Sequence, residues 1–443
     1  MKTVKMVYNI HTILTKEVFC VERDLEKRRQ LRQERAAIRQ KQQARKTLMG
    51  LIAAAVILLG CGALIFALSR KAPAHQGEAT TGTAAETQSS ETSPAETTLP
   101  PTTTIHYAAV GDLNVTEDTV QSGGPSFIYT DTFLGVAPVL ADADISSVNF
   151  EGTLCGAPYG SSFSAPQSMA QALQRAGVDL VQMANSYSIK QGLSGLTSSI
   201  DSIHAAGMEP LGVYKDQAAF SQGKGYTIRM VDGIKLAFVA FTKGMDGMTL
   251  PAGSENCVNV LYTDYDSVYQ EVDTKRITSI LEHVEKEKPD LVIALLHWGS
   301  EFNNTISSSQ EAIASLMFQN GVDAIIGTHS HYVQKMELDP DTGRFIAYSL
   351  GDFFSDAQRA GSEYSVILDL EITKDNATGQ TAITGYSYTP IFTVRETGKP
   401  LKVVQISQAM TAYENGYIDS VSESTYNAMA YALQRIEARV AGE

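Results

Sequence analysis

Carboxylate, amide and imidazole side chains stand at the ends of several short apolar runs in this 443-residue sequence. Side chains of these types, when they lie close together, bind ions such as Zn, Mn or Fe. Two such ions can clamp a phosphate-like group and activate water, so the predicted chemistry is metal-assisted hydrolysis or transfer. The residues, each with the run before it, are Asp112 (AAV), Asn149 and Glu151 (ISSV), Asn185 (LVQMA), His297 (LVIALL), His329 and His331 (AIIGT) and Asp352 (FIAYSLG).

The elements that must position these residues are predicted from the spacing of apolar side chains. Short apolar runs predict buried strands, and the segments between them repeat their apolar residues with a period near 3.6, which predicts helices. Their alternation is typical of an α/β fold. Because the carboxyl ends of strands in α/β sheets converge on the ligand crevice, we expect the polar residues to meet there.

Each of these residues, taken alone, has a structural alternative. A histidine that follows a strand, such as His297, is more often an ordinary hydrogen-bonded residue than a ligand. The metal-site hypothesis therefore rests on the repetition of polar residues at equivalent places of the predicted sheet. His204 and His283 fall on predicted helices instead, and we interpret both as structural or surface residues.

The chain resembles the capsule synthesis proteins typified by CapA, the poly-γ-glutamate biosynthesis protein, over roughly residues 105–395. The matching stretches occur in the order of that family: AAVGDLN, SSVNFEGTL, DLVQMANSYSIKQG, LVIALLHWGSEF, GVDAIIGTHSHYVQKME and IAYSLGDFF. The resemblance implies an α/β fold in which a layered β-sandwich is flanked by helices, metallophosphoesterase-like (calcineurin-like). It also implies a divalent metal, Mn, Zn or Fe, as cofactor.

Roles for individual residues follow from the same resemblance. His297 and His329 are expected near the scissile group as catalytic residues, and Tyr187, Glu301 and Asp352 are expected to contact substrate. The expected metal ligands are Asp112, Asn149, Glu151, Asn185, His297, His329 and His331.

The chain also departs from the family pattern. It reads Asn185-Ser186-Tyr187 where the family usually reads Asn-Asn-His, and a phenol, with a reference pKa of about 10, is a poor proton shuttle at neutral pH. Asn114 replaces the His of the Asp-x-His motif of the wider fold, Thr328 stands where His is frequent, and Asp352 replaces a usual Asn. These departures predict ligands for one metal and argue against a complete dinuclear centre.

A membrane anchor precedes the predicted domain. Residues 48–68 are 21 residues without a charge, about the length that a helix needs to cross a bilayer. A basic segment at 1–47 predicts a cytoplasmic N-terminus by the positive-inside rule. A Thr/Ser/Pro/Glu/Ala-rich linker at 72–104 is predicted to be disordered. The domain at 105–395 and a C-terminal strand and helix at 396–443, packed on it, are therefore expected outside the cell.

Charge and cysteine content limit the function further. Residues 1–71 carry 15 Lys/Arg and 5 Asp/Glu, whereas residues 72–443 carry 20 and 44. An acidic domain without basic patches argues against nucleic-acid binding. Cys155 and Cys257 would either pair in an oxidising compartment or remain separately buried thiols, and the sequence leaves both open.

Two functional hypotheses remain. The first is a surface-anchored, metal-dependent enzyme that hydrolyses or transfers a bond in an anionic envelope polymer such as poly-γ-glutamate. The second is a noncatalytic accessory subunit that binds the polymer or its membrane synthase through a degenerate metal site, as Tyr187 and Asn114 favour. Expected partners are membrane lipid around 48–68, the anionic polymer and membrane synthase subunits.

Overall fold

The structure is a computed structural model that describes residues 101–357, 359–417 and 420–443. The predicted transmembrane helix at 48–68 and the basic segment before it lie outside these residues. The linker predicted at 72–104 also lies outside them, except for its last four residues. Within the residues that the structure describes, no helix combines the length and apolarity needed to cross a bilayer.

The described residues form fourteen strands and nine helices, which mostly alternate along the first two thirds of the domain. The strands are β1 (Thr102–Asn114), β2 (Ile145–Glu151), β3 (Leu180–Gln182), β4 (Glu209–Leu211), β5 (Tyr226–Val231), β6 (Ile234–Thr242), β7 (Leu291–His297), β8 (Ala324–Thr328), β9 (Met336–Leu338), β10 (Phe345–Ala347), β11 (Asp352–Phe354), β12 (Tyr364–Asp375), β13 (Thr381–Val394) and β14 (Lys402–Gln405). The helices are α1 (Glu117–Gln121), α2 (Ala137–Asp142), α3 (Gln167–Ala176), α4 (Gly192–Ala205), α5 (Gln217–Gly223), α6 (Thr274–Lys286), α7 (Ser308–Gln319), α8 (Ile406–Glu414) and α9 (Glu423–Ala441).

Two mixed sheets organise these strands. The first has the order β14-β13-β12-β1-β2-β3-β4, with β11 also paired to β1, and β1 to β4 run parallel to one another. The second has the order β5-β6-β7-β8-β10-β9, with β6, β7, β8 and β10 parallel. The parallel strands are nearly all buried, as expected where both faces of a sheet are covered.

The main hydrophobic core lies between the two sheets. Alternate residues of β1, including Tyr107 and Ala109, pack with alternate residues of β6 and β7, and the rings of Tyr107 and Phe238 meet edge to face at 5.5 Å. A second core joins the outer face of the β6–β7 sheet to helices α6 and α7. The predicted α/β fold, a layered sandwich of sheets flanked by helices, is thereby confirmed.

The first and last elements of the domain differ in detail from the predicted boundaries. β1 begins at Thr102, three residues before the predicted start of the domain, because residues 102–104 pair with the end of β12. At the other end β14 adds to the first sheet, and α9 buries Met429 and Ile436 in the main core. Helix α8, between them, was not predicted.

The two cysteines in the described part of the chain are free thiols. Cys257 is buried and Cys155 is half-buried. Of the two alternatives that the sequence leaves open, the structure therefore shows separate thiols.

Candidate metal centre

Strand register brings the predicted site residues to one edge of the domain. In the first sheet Asp112 lies beside Asn149 of β2 on one side and beside Asp352 of β11 on the other. In the second sheet His297, the last residue of β7, lies beside Thr328, the last residue of β8. The convergence predicted from the carboxyl ends of the strands is therefore what the structure shows.

A close backbone approach holds Asp112 in this place. The Asp112 N–H donates to Gly351 O at 3.0 Å, where β1 pairs with the start of β11. A Cβ at Gly111 would lie 1.8 Å from the same carbonyl oxygen, which no side chain could tolerate. Glycine at this position is thus required for the contact that sets Asp352 next to Asp112.

The first group of candidate ligands contains Glu151, His297 and His329. One ligand atom from each residue lies within 4.8 Å of the others, and all three residues are buried. Glu151 Oε1 lies 2.9 Å from His297 Nε2, and the His297 and His329 rings are 4.4 Å apart. Among the described residues, however, Glu151 Oε1 and His329 Nδ1 are buried atoms that make no hydrogen bond. Unpaired buried polar atoms within one group of candidate ligands are expected in a cation site without its ion.

The second group contains Asp112, His331 and Asp352, also buried and also within 4.8 Å. His331 Nδ1 contacts Asp352 Oδ1 at 2.7 Å and lies 3.9 Å from Asp112 Oδ2. Asp352, predicted to contact substrate, therefore lies among candidate metal ligands. The structure presents two three-residue groups where the departures from the family pattern predicted ligands for one metal.

The loop after β8 supplies a histidine to each group. His329 and His331 both have positive φ, 89° and 59°, a region that non-glycine residues seldom occupy. Such strain persists where the surrounding structure imposes it, and it is concentrated at functional sites. Here the His329 N–H donates to Asp112 Oδ2 at 3.0 Å, and Phe302 stacks on the His331 ring at 4.7 Å.

Burial controls protonation in both groups. It raises the pKa of Glu151 to about 8, and, together with the nearby Glu151 carboxyl, it raises the pKa of Asp112 to about 7. Burial lowers the pKa of His297 to about 3 and that of His329 well below its ordinary value. The pKa of His331 is raised well above its ordinary value, because the charge and hydrogen bond of Asp352 outweigh its burial. Two neutral imidazoles beside acids that hold protons form a site where a cation would replace those protons.

The two amide residues predicted at the site, Asn149 and Asn185, form a chain of hydrogen bonds beside Asp112. Asn149 Nδ2 donates to Asp112 Oδ1 at 2.6 Å, and its Oδ1 accepts from Asn185 Nδ2 at 3.0 Å. Asn185 Oδ1 in turn accepts the Tyr187 N–H at 3.0 Å. Both amide oxygens thus accept hydrogen bonds in a chain that orients Asp112, and the metal-ligand role of the two residues stays a prediction.

Two hydroxyl contacts to His297 were not predicted. Thr328 Oγ1 lies 3.1 Å from His297 Nδ1, and Ser186 Oγ lies 3.0 Å from Nε2. Asn149 Nδ2, which can only donate, also lies 3.2 Å from Nδ1 and competes with Thr328 for this nitrogen. In the tautomer with its proton on Nδ1, that proton is donated to Thr328 Oγ1 and the Nε2 lone pair is available to a metal. No role was predicted for Ser186 or Thr328, which were noted only as departures from the family pattern.

A cavity of about 140 Å³ opens beside the second group, and Tyr187 and Glu301, the other predicted substrate contacts, line it with Phe302. Tyr187 stacks on Phe163 at 4.6 Å, and Lys190 lies over both rings. Burial, reinforced by Glu151 and Glu301, raises the pKa of Tyr187, so its phenol stays protonated at neutral pH. The remaining lining residues are Asn114, Val115, Thr116, Glu151, Phe163, His331, Asp352, Asp356 and Ser362.

Comparison with known proteins gives matches over most of this domain. The family described as Bacterial capsule synthesis protein PGA_cap matches residues 106–357. "Capsule biosynthesis protein CapA" of Bacillus anthracis is 27% identical over 254 residues, 56% of this chain and 58% of that protein. "PGA biosynthesis protein CapA" of Bacillus subtilis (strain 168) is 24% identical over 309 residues, 68% of this chain and 74% of that protein. The chain thus spans less than two thirds of the Bacillus anthracis protein.

Solved structures with similar folds are more distant. The calcineurin-like phosphoesterase YfkN from Bacillus subtilis is 14% identical, with a TM-score of 0.41, over 77% of this chain and 99% of that chain. A phosphatase from Mycoplasma pneumoniae is 16% identical, with a TM-score of 0.40, over 66% of this chain and 94% of that chain.

Proposed function

The chain belongs to the family of bacterial capsule synthesis proteins, PGA_cap, and from this premise we propose that it is a metal-dependent hydrolase or transferase of an anionic envelope polymer. The polymer that the names of its relatives suggest is poly-γ-glutamate. The observation that carries the proposal is the pair of buried three-residue groups at one edge of the domain, with a buried polar atom of Glu151 and one of His329 that make no hydrogen bond among the described residues.

The donor set fits divalent Mn, Zn or Fe, because it combines imidazole nitrogen with carboxylate oxygen. Glu151, His297 and His329 would hold one ion, and Asp112, His331 and Asp352 a second. Bound there, an ion supplies Lewis acidity and lowers the pKa of water.

The protein's own groups orient this site and the ligand that enters it. Asn149 holds the Asp112 carboxylate, and Asp352 fixes the His331 ring through its 2.7 Å contact. Tyr187, protonated at neutral pH, offers a hydrogen-bond donor from the cavity wall. His297 and His329 are neutral because burial lowers their pKa values, so they suit metal binding better than proton donation.

The alternative is an accessory role without turnover. Tyr187 stands where the family usually carries a histidine, and the chain then lacks that group as a proton donor. A relative from Mycobacterium tuberculosis, 22% identical over 190 residues, is described as a "Probable polyglutamine synthesis accessory protein". In this role the same cavity would bind polymer for a membrane synthase.

Metal content and polymer cleavage separate the two roles. The full chain, purified in detergent and incubated with Mn²⁺ or Zn²⁺, would be compared with its His329→Ala/His331→Ala variant by elemental analysis. The chain length of added poly-γ-glutamate would be followed by gel filtration. We expect the unaltered chain to bind metal and shorten the polymer, and the variant to lose both while its circular dichroism is unchanged.

The His204→Ala/His283→Ala variant is the matched control, because it removes two histidines on helices α4 and α6. It should retain metal and activity. Absence of metal from the unaltered chain would contradict the enzymatic proposal. Stoichiometric metal with unchanged polymer length would favour the accessory role.

We also propose that residues 48–68 anchor the chain in the cell membrane, with residues 1–47 cytoplasmic and the domain extracellular, near synthase subunits and the polymer. The support is the uncharged 21-residue run and the basic segment before it. Protease treatment of intact cells should remove a C-terminal epitope tag and spare an N-terminal one. Protection of the C-terminal tag until the cells are permeabilised would contradict this topology.

A further inference from the structure

Phe302, in one wall of the cavity, contacts a cation that the metal site does not use. Phe302 lines the cavity and stacks on His331, with ring centres 4.7 Å apart. The guanidinium carbon of Arg359 lies over the same Phe302 ring, 4.3 Å from its centre. A single aromatic ring therefore joins a candidate metal ligand to an exposed arginine.

The charges around the cavity make this arginine distinctive. Besides Glu151, which burial keeps mostly protonated at neutral pH, three carboxyl groups line the cavity, from Glu301, Asp352 and Asp356, so a polyanion would be repelled unless cations face it. Lys190, over the rings of Phe163 and Tyr187, is paired with Asp246 at 2.8 Å, and Lys243 donates to Gly299 O.

Arg359 differs from these lysines. Within the described part of the chain its guanidinium makes no ion pair, and its contact is the face of Phe302. Stacking fixes the plane of a guanidinium and leaves its N–H edge for a planar partner, and a carboxylate fits that edge with two parallel hydrogen bonds.

We propose that Arg359 is a specificity-determining residue that binds a carboxylate of the ligand while a neighbouring group of the same ligand lies at the metal-binding residues. The ligand class is a chain with repeated carboxylates. This inference rests on the proposed function and assigns to one residue the recognition of the polymer's charge.

Binding of a labelled polymer tests this role. The full chain in detergent would be titrated into a fluorescein-labelled poly-γ-glutamate oligomer, with EDTA and again with Mn²⁺, and fluorescence anisotropy recorded. Arg359→Gln should weaken binding about tenfold, the loss expected for one charge-assisted hydrogen-bonded contact. Arg359→Lys should give a smaller loss, because it keeps the charge and loses the planar fork.

Arg344→Gln is the matched control, since Arg344 also lies over a phenylalanine, Phe318, at 5.4 Å. It should leave affinity and metal content unchanged. Equal affinity of Arg359→Gln and the unaltered chain would overturn the role of Arg359 alone. Failure of the unaltered chain to bind the oligomer at all would overturn the proposed polymer, and the inference with it.

Competition separates carboxylate recognition from attraction of any polyanion. The methyl-esterified oligomer, which lacks charge, should not displace the probe. Dextran sulfate should compete weakly, and equally in the Arg359→Gln variant. Strong competition by dextran sulfate that depends on Arg359 would overturn the assignment of a carboxylate.

Discussion

The backbone N–H of His329 donates to Asp112 Oδ2 at 3.0 Å, which joins strand β1 to the loop after β8 across 217 positions of the sequence. Asp112 belongs to the group with His331 and Asp352, whereas His329 belongs to the group with Glu151 and His297. The Asp112 carboxylate is therefore a candidate ligand in one group, and it also holds the backbone of His329, which belongs to the other group. Loss of its charge should affect both.

We expect Asp112→Asn to weaken both classes of Mn²⁺ site by about 10- to 100-fold, the usual effect of altering a ligand or the group that orients it. Calorimetric titration of the metal-free chain would measure it. Asp369→Asn is the control, because Asp369 pairs with the half-exposed His106 away from the site. Loss of one class of site with the other unchanged would contradict the link through His329.

The two ring nitrogens of His297 give opposite expectations. Thr328→Val removes the hydrogen-bond acceptor beside Nδ1 and leaves Asn149 Nδ2, a donor, so the tautomer that frees Nε2 is less favoured and metal affinity should fall about tenfold. Ser186→Ala removes a hydrogen bond to Nε2 that a metal must displace, so affinity should rise about fivefold, the equivalent of roughly 1 kcal/mol. A fall in affinity for Ser186→Ala would instead indicate that the Ser186 hydroxyl contributes to binding the ion.

Stability of the metal-free chain should decrease between pH 6.5 and 8. Burial raises the pKa of Glu151 to about 8, so the folded chain keeps a proton that the unfolded chain has lost above pH 4.5. The folded state then binds more protons, and stability falls as pH rises through this range. The raised pKa of His331 acts in the same direction above pH 6.5. The lowered pKa values of His297 and His329 oppose this mostly below pH 6.5 and only weakly above it, because the unfolded imidazoles lose their charge as pH rises through 6.5.

Urea unfolding with EDTA at both pH values would measure the decrease, which we expect to be on the order of 1–2 kcal/mol for Glu151. Glu151→Gln should reduce the decrease by this amount, because that side chain has no proton to lose, and should leave the part due to His331 and Asp112. Mn²⁺ should also reduce the decrease, since a bound cation displaces the proton at both pH values. Equal slopes for the chain and the Glu151→Gln variant would contradict the buried-acid explanation.

The sequence predicted that the site residues lie close together, because they follow short apolar runs that indicate buried strands. It could not predict how they pair. Asp352 lies beside Asp112 through the short β1–β11 pairing, which depends on the Gly111–Gly351 approach and not on any local pattern. The substitution of Asn by Asp at 352, interpreted as a departure from the family, supplies a carboxylate to His331.

The sequence pattern also failed to predict strands that are only partly buried, because their apolar and polar residues do not alternate strictly. The hairpin β12–β13 builds the long antiparallel part of the first sheet, yet much of β13 is half-exposed and has no continuous apolar run. The use of Asn149 and Asn185 as orienting groups was equally hidden, because an amide can bind a metal or a carboxylate and only the fold decides which.

The second glycine contact near the site should be intolerant of any side chain. A Cβ at Gly327, next to Thr328, would lie 1.9 Å from Tyr348 O and 2.6 Å from Trp298 Nε1, which donates to that oxygen. Gly327→Ala must therefore push β8 away from the backbone at Tyr348, just after β10, and we expect the substitution to lower the free energy of unfolding by about 3 kcal/mol.

Gly385→Ala is the control, because a Cβ at that position meets no described residue within 4 Å, and it should change the free energy of unfolding by less than about 1 kcal/mol. Urea midpoints compared at equal slope would measure both, and equal midpoints for the two variants would show that β8 and the Tyr348 backbone can separate without cost.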